Sequence, residues 1–238
     1  MGLFGLGGSK VDRLKKRMMN QWGQASERQR AMHMLADIGD EEALAVLLQR
    51  FTFRIEGGIT DEEEKQLGYD LLVSSGQRAI QPIETFVASN DGVYWPLKAF
   101  KEIAGTEQAV DCLLRALDSA EQVSIRVNEH RSQLVSNLRD FPHPRILERL
   151  RLLCHDPDDD VRIMAIDALL TYGEEEAKPV IADRLTNPDE TNRIKSVVYE
   201  QLVGLGWSLA TWREQLEEAD LVPGHYRLGP NGAVQRAN

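Results

Sequence analysis

The stretch PDDDVRIMAIDALLTYGEEEAKPVIADRL, residues 157–185, decides the fold of this 238-residue chain. Val161, Ala165 and Leu169 recur four apart, as one face of an α-helix requires, and Ala177 and Leu185 continue a second stripe beyond Gly173. Gly173 lies where a helix would end, and a left-handed C-terminal cap suits glycine. Glu174–Glu176 follow it, and acids favour the N-terminus of a new helix. The stretch predicts a helix–turn–helix pair with one apolar stripe on each helix.

The line repeats about every 33 residues, a period that means stacked helical hairpins. Its anchors are Gly39, Gly76, Gly105, Pro142, Gly173 and Gly206. Eleven residues before them stand Arg28, Lys65, Tyr94, Arg131, Arg162 and Lys195, five basic residues in six copies. Small or apolar residues occupy the positions eight before, four before and four after in most copies. The third copy breaks this register. Tyr94 and Lys101 stand where a basic residue and a leucine are expected, and a one-residue shift brings Phe100 onto the stripe. In the fourth, Pro142 replaces glycine and Pro144 suits the first turn of the next helix.

Across residues 26–216 this pattern resembles HEAT repeats, particularly the bacterial kind also found in bilin-lyase-like proteins. Residues 158–185 carry the likeness most specifically, through Asp159 or Asp160, Val161, Arg162, Ala165, Leu169, Gly173, Ala177 and Leu185. The resemblance implies an all-α, right-handed α-α superhelix of about six hairpins. It also implies that first helices line a convex face and second helices a concave, binding face. Arg28, Lys65, Arg131, Arg162 and Lys195 would then form a structural ladder, pairing with acids in the turns. For Arg162 those acids lie near Asp156–Asp160.

Three segments fall outside the period. Residues 1–25 hold a glycine-rich lead-in and a basic stretch, Ser9–Trp22, that reads as a helix N-capped by Ser9. Val11, Leu14, Met18 and Trp22 share one side, with Lys10, Arg13, Lys15, Lys16 and Arg17 on the other. Such a helix either seals the first hairpin or offers a surface to an anionic membrane or an acidic partner, with Leu3, Phe4 and Leu6 beside it. Residues 54–61, RIEGGITD, interrupt the array of residues 26–219. Gly57 and Gly58 mark a loop, and Thr60 or Asp61 is the expected helix cap. Residues 220–238 are rich in Gly and Pro, and Asn231-Gly232 between Tyr226–Leu228 and Ala233–Gln235 predicts a small hairpin.

Charge and chemistry narrow the function. The net charge is −10, divided as +5 over the first 30 residues and −15 over the rest. An acidic body disfavours non-specific binding to nucleic acid. No stretch reaches the ~20 apolar residues that span a bilayer, and a cytoplasmic location is the expectation. Cys112 and Cys154 sit at apolar helical positions and read as reduced core thiols. His33, His130, His143, His155 and His225 make no metal-ligand spacing, and Glu62–Glu64 and Asp158–Asp160 read as acids at helix N-termini rather than calcium ligands.

No catalytic, metal or cofactor residue is assigned. A HEAT-like DNA glycosylase would need a cationic groove, yet Trp207, Trp212 and Glu214 stand in an acidic repeat. A bilin-lyase role would need a chromophore pocket. The expected function is therefore a non-catalytic scaffold that binds another protein on the second-helix face. The alternative is an adaptor docked to a membrane or an acidic partner through residues 1–22. Helical offsets place Arg78, Asp111, Arg115, Glu148, Arg151, Asp183 and Trp212 on the second-helix face as candidate partner contacts.

Overall fold

The computed structural model describes residues 9–123, 129–218 and 222–237. They form an all-α helical repeat solenoid, and the sheet among them is a single two-stranded hairpin. The helices are α1 (Lys10–Met18), α2 (Ala25–Ile38), α3 (Glu41–Leu48), α4 (Gly58–Ser75), α5 (Ile80–Val87), α6 (Tyr94–Ala104) and α7 (Thr106–Val123). They continue with α8 (Glu129–Asn137), α9 (Pro144–Leu153), α10 (Asp159–Leu170), α11 (Glu174–Thr186), α12 (Asn192–Leu205) and α13 (Arg213–Glu218). Packing divides them into two units, Met1–Asn137 and Leu138–Asn238.

In the first unit each first helix packs on the next first helix, α2 on α4 on α6, and each second helix on the next second helix, α3 on α5 on α7. This nearest-neighbour stacking is what a short repeat needs, because one hairpin cannot bury its own apolar face. Ala31, Leu35, Leu72, Leu97 and Phe100 are buried along the first helices, and Ala43, Ile83, Ala109 and Leu113 along the second. In the third copy Phe100 is buried, as the one-residue shift predicts, while Leu97 keeps the unshifted position eight before Gly105 and is buried too. In the second unit α10 packs on α9, α11 and α12, around Val161, Ala165, Leu169, Ala177, Ile181 and Ile194.

The anchor glycines divide into two kinds. Gly39 and Gly206 adopt the left-handed cap, with φ/ψ of 62/15° and 66/16°, and donate to Leu35 O and Leu202 O. Gly76, Gly105 and Gly173 keep positive φ but turn ψ to −138, 167 and 174°. That region is essentially closed to any residue with a Cβ, so these three turns demand glycine more strictly than the cap expected for them.

Ser9 caps α1 in a reciprocal capping box with Asp12. The helix ends at Met18, four residues short of the expected boundary, and Trp22 is 86% exposed. The apolar side of α1 is thus Val11, Leu14 and Met18 without Trp22, packed on α2 and α3. Leu3, Phe4 and Leu6 lie outside the described residues. At the other terminus, β1 (Tyr226–Leu228) pairs antiparallel with β2 (Val234–Arg236), Leu228 opposite Val234. The Tyr226 ring stacks on Tyr199 of α12, and its hydroxyl donates to Glu200 Oε2 at 2.9 Å.

Candidate functional site

After α3 the chain passes through a 3-10 turn, Gln49–Thr52, and an irregular stretch to Gly57 before α4 begins. The expected cap at Thr60 or Asp61 is not used. α4 starts earlier, at Gly58, because the Asp61 carboxylate turns inward to Arg50. Arg50 has no solvent exposure. Its Nε donates to Glu64 Oε2 at 2.9 Å, its Nη2 to Asp61 Oδ1 at 2.7 Å and its Nη1 to the Phe53 carbonyl at 3.2 Å.

Glu64 is also fully buried and takes Arg28 on its other oxygen, Nη2 to Oε1 at 2.8 Å. Lys65 Nζ closes the cluster on Asp61 Oδ2 at 2.6 Å. Three cations thus surround two carboxylates. Burial by itself would raise the Asp61 carboxyl, but the hydrogen bonds from Lys65, Arg50 and the Ile55 N–H outweigh it and hold Asp61 below the ordinary carboxylate range. Glu62 and Glu63 are exposed as helix acids should be. Glu64, expected to join them, is instead the centre of the network.

Above this cluster lies a groove of about 400 Å³. Phe51–Arg54 and Lys65 form one wall, Asp91–Trp95 the other, and Glu129 and Gln133 of α8 one end. The walls are set close together, since a Cβ on Gly92 would run into the Phe51 carbonyl. Asn90 O lies 2.8 Å from His130 Nδ1, which fixes the α5–α6 turn against α8. Trp95 meets Tyr94 and Tyr69 edge to face at 5.5 and 6.0 Å, and Lys98 Nζ stands 4.8 Å from the Trp95 ring centre. Tyr94 is 43% exposed. The result is an aromatic trough with Arg54, Lys65, Asp91 and Glu129 along it, suited to holding a chain segment with both apolar and charged side chains.

The ladder residues have unequal surroundings. Arg28 belongs to the buried network, and Lys65 pairs with Asp61 of its own helix. Arg131 Nη2 lies 3.4 Å from Glu121. Arg162 is the most complete rung, donating to Asp156 O at 2.5 Å, Asp159 Oδ1 at 2.6 Å and Glu190 Oε1 at 3.0 Å. Lys195 is buried, and among the described residues no carboxylate pairs with it.

The candidate partner contacts divide between the units, Arg78, Asp111 and Arg115 in the first and Glu148, Arg151, Asp183 and Trp212 in the second. Several are tied to the neighbouring hairpin. Arg115 of α7 pairs with Glu84 of α5 at 2.6 Å, and Arg151 of α9 with Glu176 of α11 at 2.5 Å. Arg78 Nη1 is 3.5 Å from Gly39 O, and Asp183 lies 3.1 Å from Arg184. Asp111 and Trp212 are half-buried, and Glu148 is exposed. Exposed pairs of this kind contribute about 0–1 kcal/mol each, so a partner can displace them at small cost.

Burial pushes both thiols, Cys112 and Cys154, up to about 12. Neither should react with iodoacetamide at pH 8 in the folded protein, and both should react at once in denaturant. Mass spectrometry reads the adducts, and rapid native labelling of either thiol would contradict this burial.

Residues 126–200 match a family model for HEAT repeats. The match is to these repeats at large and singles out no subfamily. No curated protein matches the chain.

Proposed function

We propose that this HEAT-repeat protein is a non-catalytic scaffold that holds a segment of a partner protein in the aromatic groove of its first unit. HEAT repeats are commonly protein-interaction scaffolds. The observation that carries the choice of site is the aromatic trough itself. Tyr94 stands where the other copies place a ladder cation, with Trp95 next to it, beside a buried charge network that keeps the opposite wall in place. Aromatic anchors in a rigid recess are the residues that dominate binding energy at protein interfaces.

The test is photo-crosslinking from position 94 in the full chain. A specific partner should be captured from there, and Trp95→Ala should weaken its binding by about 2 kcal/mol, roughly thirtyfold. Tyr94→Ala, at an exposed position, should weaken it too with little effect on melting. Capture from Arg115 but not from Tyr94 would move the site elsewhere.

A second reading keeps partner contact on the second-helix face. It is favoured by a shallow recess of about 250 Å³ between α5 and α7, lined by Glu84, Ala88, Cys112 and Arg115, the last with its side chain 67% exposed. Partners that survive charge reversal of Arg115 and Arg151 together would remove this face.

A further inference from the structure

We infer that the N-terminal end of the first unit is a docking surface for anionic lipid bilayers, built from the cationic side of α1 and the indole of Trp22. The helix already spends its apolar residues on the array: Val11, Leu14 and Met18 are 7%, 5% and 0% exposed. What remains outward is Lys10, Arg13, Lys16 and Arg17, all exposed. Arg17 shares its charge with Glu27 at 3.5 Å, across a pair that is half in water.

The turn that follows is displayed rather than loose. Arg28, anchored on the buried Glu64, sends Nη1 to the carbonyls of Gly23 at 2.6 Å and Asn20 at 3.3 Å. The Trp22 N–H is held by Asn20 Oδ1 at 3.3 Å. A turn clamped from inside by a guanidinium thus holds a tryptophan almost wholly in solvent. An indole held in this way offers an apolar ring with a polar N–H, the combination that suits a membrane–water interface.

A covering surface must be negative and must accept an indole without a shaped pocket, because this face is one short helix and the turn that follows it. An anionic bilayer meets both conditions. Indole rings favour the headgroup layer, and each lysine or arginine near an acidic leaflet adds about 1 kcal/mol. The surface therefore binds reversibly and in a salt-dependent way, as peripheral docking with one shallow anchor does.

Sedimentation of the full-length protein with phosphatidylserine–phosphatidylcholine vesicles, against phosphatidylcholine alone, tests this. Binding is expected only to the anionic vesicles and only at low salt. Arg13→Gln with Lys16→Gln should weaken it about thirtyfold, the loss of two such charges. Trp22→Ala should weaken it about tenfold. All three positions are exposed, so melting by circular dichroism should be unchanged. Absence of binding at low salt would overturn the proposal, as would binding indifferent to Trp22→Ala. Displacement of the vesicles by polyglutamate, bound with the same dependence on Trp22, would assign the surface to acidic proteins and overturn it as well.

Discussion

Glu64→Ala should lower the unfolding free energy by about 3–5 kcal/mol, the largest effect expected of any single surface-sparing change in the first unit. The carboxylate accepts from Arg28 and Arg50 at once, and both guanidiniums are buried. Removing it leaves two cations facing each other in low dielectric, with Asp61 able to satisfy only Arg50 and Lys65. Neither arginine can swing to water, since Arg28 is held by the Asn20–Gly23 carbonyls and Arg50 by Phe53 O. Urea unfolding followed by circular dichroism measures the loss. Adding Arg28→Met to Glu64→Leu should recover part of it, because one unpaired buried charge is then removed. If the losses of Arg28→Met and Glu64→Leu instead add up in the double variant, the two residues are not coupled.

Arg162→Ala should cost about 2–3 kcal/mol and leave partner capture unchanged. Its guanidinium joins Asp156 O and Asp159, at the start of α10, to Glu190, in the turn before α12, so it fastens α10 to the start of α12. Without it Glu190, almost fully buried, keeps the Thr191 N–H at 3.0 Å and a longer contact with Arg184 at 3.5 Å. Lys195→Met provides the contrast within the same ladder. With no described carboxylate to abandon, it should change the melting temperature far less. An Arg162→Ala protein that melts like wild type but loses a partner would make this arginine a contact residue instead.

The repeat was legible because hairpin stacking imposes a period on apolar residues, and that period survives wherever a helix must bury the same side. Leu35, Leu72, Ala165 and Leu202 all read this way, and all are buried. The ladder was legible as a row of cations, and for Arg162 so was Asp159 beside it, but Glu190 and the helix acids Glu64 and Glu121 that meet Arg28 and Arg131 were not, because they lie outside the repeated pattern.

Arg50 escaped notice altogether. It follows the apolar run AVLL near the end of a helix, where arginine ordinarily reaches water, and nothing local says that Asp61 and Glu64 will fold back over it. Trp22 was misplaced for a related reason. Its spacing from Met18 is helical, but Arg28 captures the Asn20 and Gly23 carbonyls and the chain turns away. The groove left two marks that could have been joined: the insertion at residues 54–61 and the lost register at Tyr94. Each looked like a defect in the repeat. Their adjacency in space needed the structure, because it depends on α6 stacking on α4.

Stacked hairpins have a general hazard in that an uncovered terminal layer is an invitation to accretion, copy upon copy. Here the two termini meet it with different materials. A helix with a cationic outer side closes the first unit over α2 and α3, and at the other terminus a strand pair lies on α12 through Tyr226 and Glu200. The first unit does not owe its groove to the length of its array. It gains surface by interruption, where a layer is pried from its neighbours' register and the opening is held apart by charges that can go nowhere else.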